Sequence, residues 1–360
     1  MDQRQRRVWL IGQLLREYPE YQDADEADLP IPHDDEEQRL LLRALQNVRP
    51  PAPVSERFLH VQDEYLGAVL AQRAITDTDD VLPIETIVPA GINVQRAWPA
   101  SPVRNGQPSQ TPQTPQTQQT QQTPQTGATL AIWQGDITTL RCDAIVNAAN
   151  SGLTGCYAPN HHCIDNAIHT AAGVQLRLAC DRIMEQQGHP EPVGHAKITP
   201  GFNLPARYVL HTVGPMIPSG DPTPAEQEQL ADCYRSCLRL AADHGLETIA
   251  FCSISTGEFR FPAELAARIA VHTVRDFLTQ RCAQEFPQQE VAQSQQTQSQ
   301  QTQSQQTSTN ATAAPIASTP ASPANTADTA NTPSTIRKVI FDVFSDRDRQ
   351  IYERVFADHA

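Results

Sequence analysis

Two tracts of this 360-residue chain cannot build a core. Residues 100–128 and 284–335 are almost entirely Gln, Thr, Ser, Pro and Ala. They carry too few apolar side chains to offset the entropy of ordering them. What remains is enough for one medium domain and a small accessory one. Residues 1–86 are expected to be a helical segment and 87–128 a low-complexity linker. Residues 129–283 would form the first part of the main domain, 284–335 an insertion, and 336–360 its last strand and helix. An insertion of that length costs little, because loop-closure entropy grows only logarithmically.

The foldable pieces carry two different patterns. Leu130–Trp133, Ala144–Val146, Tyr208–Val213, Thr248–Cys252 and Lys338–Val343 are short, nearly continuous apolar runs. Strands covered on both faces read this way. Helical patterns alternate with them at Asp165–Gln187, Glu226–His244, Pro262–Gln280 and Asp346–Ala357. The alternation predicts an α/β layered domain with a parallel or mixed sheet. The N-terminal piece differs. Its apolar residues at Val8–Ile11, Leu40–Leu45 and Phe58–Leu70 recur at helical spacing, and Ser55 opens the third stretch as an N-cap. Three short helices bury little surface alone, so they are expected to pack on the larger domain.

A net charge of −14 argues against a phosphate-neutralising nucleic-acid surface. A small phosphate-bearing ligand remains compatible, since helix N-termini and backbone N–H groups bind phosphate without Lys or Arg. The eight cysteines lie partly inside apolar runs, where Cys acts as a small hydrophobe. No secretory leader pattern and no membrane-length apolar run are visible. A reducing, cytoplasmic setting and a monomer are expected.

One loop concentrates chemistry. Gly155-Cys156-Tyr157-Ala158-Pro159-Asn160-His161-His162-Cys163-Ile164-Asp165 places two thiols, two imidazoles and a carboxylate between a strand-like and a helix-like run. Cys156, His161 and Cys163 are zinc-ligand types. Structural zinc usually takes four protein ligands, so three with a carboxylate nearby suggest an open metal. Buried free cysteines, a Cys156–Cys163 disulfide and a surface histidine are the competing explanations. His162 falls outside the ligand register. Two other strand ends are polar as well: Gly135-Asp136-Ile137-Thr138, and Ser255-Thr256-Gly257-Glu258-Phe259 before Pro262. Each turn alone is a weak signal.

Together, and in order with Val146-Asn147-Ala148-Ala149-Asn150, Asp165-Asn166-Ala167-Ile168-His169 and His211-Thr212-Val213-Gly214-Pro215, these motifs resemble the macrodomain family. The Cys156–Asn166 loop looks like that family's zinc-containing branch, the protein-ADP-ribose hydrolases. The likeness extends to Asn47-Val48-Arg49-Pro50-Pro51 and Gln62-Asp63-Glu64-Tyr65-Leu66.

The resemblance implies a three-layer α/β/α macrodomain with a mixed central sheet. It implies Zn²⁺ on Cys156, His161 and Cys163, and ADP-ribose and a mono-ADP-ribosylated protein as partners. Asp136 would accept from the adenine amino group, with the Ile137 N–H facing the same ring. Asn150 would hold the distal ribose and share in catalysis. Ser255, Thr256, Gly257 and Glu258 would offer N–H groups to the diphosphate, and Phe259 would pack on the distal ribose. Asp165 would position water. Plainer roles compete at each position: a turn carboxylate at Asp136, a turn residue at Asn150, a core aromatic at Phe259 and a helix cap at Asp165. His169 reads as a support for Asp165 or as core. The implied reaction is hydrolysis of mono-ADP-ribose from a protein side chain, Asp- or Glu-linked. The alternative is a non-catalytic ADP-ribose reader with a structural zinc.

Overall fold

The apolar runs become the strands of one central sheet. A computed structural model describes residues 1–88, 127–281 and 335–358. Most of the expected linker, and all of the expected insertion except residue 335, lie outside the described residues. In chain order the strands are β1 (Thr76–Asp77), β2 (Glu85–Ile87), β3 (Ala128–Gln134), β4 (Leu140–Arg141), β5 (Ala144–Ala149), β6 (Ala196–Pro200), β7 (Tyr208–Val213), β8 (Thr248–Phe251) and β9 (Lys338–Val343). The helices are α1 (Gln3–Leu15), α2 (Asp35–Val48), α3 (Glu56–Leu70), α4 (Ile164–Ala172), α5 (Val174–Gln187), α6 (Pro224–Asp243), α7 (residues 263–281) and α8 (Asp346–Asp358).

Seven strands pair in the order β2-β3-β9-β8-β5-β7-β6. The five inner strands are parallel, and the two edges are antiparallel. The sheet is therefore mixed. Ile145, Val146, Leu210, Ala250, Ile340 and Phe341 are all fully buried, as strands with helices on both faces require. The last strand, β9, lies between β3 and β8, in the middle of the sheet. The tract before it thus connects α7 to a central strand. Because the inner strands run together, the loops after β3, β5 and β8 share one edge, where open α/β sheets bind ligands.

Three sequence expectations need correction. The expected helix Asp165–Gln187 is two helices. Gly173 stands between them at φ +92°, where an added Cβ would meet the Gln62 amide at 2.5 Å. Residues 76–87 are not α-helical: Thr78–Asp80 is a single 3₁₀ turn, β2 adds an edge strand to the main sheet, and β1 pairs with β4. The short strand β6 was not anticipated. Ser55 does cap α3, its hydroxyl accepting from Phe58 N at 3.1 Å.

The N-terminal helices enclose their own apolar cluster, with Leu10, Ile11, Leu14, Phe58 and Val61 at its centre and Val174 of α5 at its margin. Polar bonds do much of the joining to the main domain. Gln62 accepts from Val174 N at 3.1 Å and donates to Gln175 at 2.7 Å. Arg177 of α5 is buried and donates to the carbonyls of Gln46, Asn47 and Arg49 at the end of α2. It supplies partners that a helix C-terminus otherwise lacks. Its guanidinium also lies 4.4 Å from the Tyr157 ring centroid. Replacing it strands buried carbonyls, each costing about 1–3 kcal/mol. Arg177→Met should therefore lower the melting temperature by several degrees. A thermal melt unchanged from that of the parent protein would show that the clamp contributes nothing.

Candidate active site

The site begins at the end of β5. Asn147 is fully buried and donates to Asp165 Oδ1 at 2.8 Å. It sits opposite His211 of β7, and the two side chains meet at 3.2 Å. His211 Nε2 in turn meets the Thr199 hydroxyl at 2.9 Å. Burial holds His211 down at about 3, so it stays neutral. Asn150, three residues past Asn147, donates to Gly155 O at 3.0 Å and accepts from Gly152 N at 2.9 Å. Its amide lies 3.5 Å from Asp165 Oδ2. Asn150 therefore braces the loop turn and faces the carboxylate as well.

Asp165 does not cap α4. Cys163 does, its Sγ accepting from Asn166 N at 3.4 Å. Asp165 lies inside the first turn, where helix geometry aims its side chain back at the sheet. It is only 5% exposed. Burial raises its carboxyl to about 6, against the lowering pull of Asn147 and Arg177. His169, one turn on, has Nε2 3.5 Å from Asp165 Oδ1, and its ring nitrogens have no hydrogen-bond partner among the described residues. Burial keeps it neutral.

Cys156, His161 and Cys163 come together, their donor atoms within 4.8 Å of one another. Cys156 Sγ is 3.6 Å from His161 Nδ1, and both cysteines are free. Burial first, and then the neighbouring Cys156, push the Cys163 thiol up to about 12. Two thiolates this close repel, and a soft divalent cation removes the conflict. The donor set fits zinc on that ground. The outer nitrogen of His161, Nε2, lies 3.4 Å from the Glu258 carboxylate. A carboxylate behind a histidine is the usual way to fix a ligating ring. His162 is exposed and outside the group. A second, fully buried trio of His169, Cys180 and His211 also converges, but Asn147 and Thr199 already occupy both His211 nitrogens.

The other two turns flank this centre. Asp136 Oδ1 accepts from Thr138 N and Oγ1, and Oδ2 pairs with Arg73. Burial raises its carboxyl, but the Thr138 and Arg73 contacts outweigh that and hold it below the usual range. It is 40% exposed, so the charged edge is reachable. Ile137 is buried beside it. At the third turn Ser255 adopts φ +63°, with its chain buried. The N–H groups of Gly257, Glu258 and Phe259 meet no protein acceptor among the described residues. Thr256 departs from expectation, since its N–H and hydroxyl both turn to Ser253 O. Phe259 is half-buried and outside the apolar core.

Sequence reading passed over several residues here. Asn147 and His211 were read only as parts of motifs, and Arg73 and Arg177 not at all. Asp342, on β9 opposite Trp133, is buried with Oδ1 unpartnered among the described residues. Burial and the nearby Asp136 charge push its carboxyl well above the usual range. A charge inside an apolar strand run was the available signal.

The Macro domain family matches residues 146–270. That stretch runs from β5 into α7 and holds Asp165, the Cys/His group and the Ser255 turn, which makes the main domain a macrodomain. A protein-ADP-ribose hydrolase of Treponema medium is 49% identical over 277 residues, 77% of this chain and 89% of that one. One of Staphylococcus aureus strain MRSA252 is 38% identical over 348 residues, 97% of this chain and 94% of its own. A solved Oceanobacillus iheyensis macrodomain with ADP is 32% identical, covering 64% of this chain and 92% of that one at a TM-score of 0.45. The chain belongs to the protein-ADP-ribose hydrolase family, and it is a hydrolase.

Two predictions follow from this packing. A Cβ on Gly214 would meet Ser255 Oγ at 2.0 Å and Ile254 Cγ2 at 2.9 Å. Gly214→Ala should cost about 1–3 kcal/mol in denaturant unfolding. The second concerns Asp342, whose folded pKa lies above its ordinary value of 3.8. The folded state therefore keeps a proton that the unfolded chain releases, and this contribution to stability is lost as pH rises. Asp342→Asn should match the parent protein near pH 4 and melt increasingly higher toward pH 8. A pH-independent difference would contradict this account.

Proposed function

We propose that this chain removes single ADP-ribose units from modified protein side chains by zinc-assisted hydrolysis, with aspartate and glutamate esters as the substrate class. One observation carries the reading. A buried carboxylate, Asp165, lies two residues beyond the third member of a soft three-donor group, Cys156, His161 and Cys163. A structural zinc would not require that carboxylate, and a reader would not require either.

ADP-ribose would span the carboxyl edge of the sheet. Asp136 offers an acceptor for an amino group on the adenine, beside Ile137. The free N–H groups of Gly257, Glu258 and Phe259 suit a diphosphate, since aligned backbone donors hold anions without a cationic side chain. Phe259 then borders the distal ribose, which reaches Asn150 and the Cys/His group. Bound there, zinc would supply an electropositive anchor for ribose hydroxyls.

The chain's own groups do the rest. The bond between the anomeric carbon and the side-chain oxygen breaks with oxocarbenium-like charge. A water oxygen joins that carbon, a proton leaves with the freed side chain, and the product is ADP-ribose. Asp165 as carboxylate stabilises the developing positive charge and orients the water. With its pKa near 6 it is largely ionised at pH 7. Asn147 and Asn150 fix its two oxygens, so little reorganisation is needed at the moment of reaction.

The test is release of ADP-ribose from an aspartate- or glutamate-labelled protein, alongside calorimetry with free ADP-ribose. Asp165→Asn should lower kcat by about 10²–10⁴ while binding changes only a few-fold. Cys163→Ser and chelator treatment of folded protein should also abolish turnover. Full turnover in Asp165→Asn, or in folded metal-free protein, would sink the mechanism. Binding without any release by the parent protein would make the chain a reader.

A further inference from the structure

The metal loop has no regular secondary structure between Asn150 and Cys163, yet it must hold three donors in one place. Its own bonds, from Asn150 to Gly155 O and from His161 N to Ala158 O, supply part of the restraint. Asn160, in the middle of the loop, adopts φ +55°, an uncommon conformation for a residue with a side chain. A further part comes from α2, more than a hundred residues away in sequence.

Two side chains one helical turn apart on α2 reach the loop. Asn47, 2% exposed, accepts from Asn160 N at 3.0 Å and donates to Thr170 Oγ1 at 3.1 Å. Arg43 donates to His161 O at 2.9 Å and takes Asn166 Oδ1 with two nitrogens, at 2.9 and 3.2 Å. Asn166 passes the restraint on. Its amide donates to Ala158 O at 3.1 Å, and its N–H bonds Cys163 Sγ at 3.4 Å. Every donor in the loop is thus one or two bonds from α2 or from its partner Asn166, apart from Cys156. Arg43 is half-buried, and its forked guanidinium fits this two-acceptor geometry as a lysine would not.

We propose that Arg43 and Asn47 are positioning residues of the metal site, so that the N-terminal helical segment completes a site whose ligands all lie in the macrodomain. The inference rests on the metal reading above. Ordering the loop in advance removes an entropic cost that metal binding would otherwise bear. The two residues touch neither substrate nor metal, and they act through His161, Asn160 and Asn166.

The experiment uses the full chain and two readouts besides turnover. Zinc affinity is measured by competition with a chromophoric chelator, and Co²⁺ substitution reports ligand geometry through its visible spectrum. Arg43→Met and Asn47→Ser should each weaken zinc about ten- to a hundred-fold, the range for residues that orient ligands. Their Co²⁺ spectra should shift. Arg43→Lys, which keeps the charge but loses the fork, should fall between. Arg39→Met, one turn away on the exposed face and hydrogen-bonded through its side chain to Glu36, should bind zinc like the parent protein. Melting curves of metal-free protein identify any variant that merely fails to fold. Folded Arg43→Met and Asn47→Ser that bind zinc as tightly as the parent, with unchanged Co²⁺ spectra, would overturn the proposal. A parent protein that takes up no zinc would remove the metal reading itself, and this inference with it.

Discussion

The 2.8 Å hydrogen bond from Asn147 to Asp165 is the contact on which the site depends. It ties a carboxylate on α4 to a central strand through a donor that is itself fully buried. The first turn of α4 is thereby fixed against the sheet, and with it Cys163, the residue that caps that helix. The same bond offsets part of the burial that raises Asp165 toward 6. Without it the carboxylate would be more fully protonated, and the loop before α4 would lose its anchor. Behind Asn147, His211 and Thr199 form a neutral, fully buried chain of hydrogen bonds. Such networks are rigid because leaving any member unpaired is expensive.

Around that anchor, the chain uses two kinds of cohesion. Apolar burial builds each of two clusters, one around the central sheet and one among α1, α2 and α3. Polar bonds then set the orientation between them: Arg177 at the end of α2, Gln62 at the start of α5, Arg73 at Asp136. Apolar contact is non-directional and would tolerate small slips between the parts. Hydrogen bonds to buried carbonyls would not. This division explains why the joining residues lie close to functional groups, where an error of about an ångström carries a large rate penalty.

How legible this was depends on the distance over which each signal acts. The inner strands were legible because burial on both faces writes continuous apolar runs into β5, β7, β8 and β9. The Cys/His trio was legible because its three members lie within eight residues. The split at Gly173 was partly legible, since a glycine after Ala171-Ala172 is a common helix stop. It was missed because helical periodicity resumes at once in Val174-Gln175-Leu176. Strand β6 was not legible, as Ala196–Pro200 is a short, half-buried edge with little apolar content. Asp165 as a cap was a reasonable expectation from residue type, but Cys163 took that place because the loop arrives with its sulfur over the helix end.

Local chemistry in the sequence decided the class of fold, the elements lining the site and the identity of the donors. Each of those follows from side-chain pattern over a few residues. Tertiary structure decided the rest. It made Asp165 a buried carboxylate held by two asparagines, set Glu258 behind His161, and brought Arg43 and Asn47 to a loop 113 to 118 residues away. On α2 those two residues look like any polar positions of an amphipathic helix. Only the packing of that helix on α4 gives them a partner, because a hydrogen bond depends on geometry that distant sequence does not record.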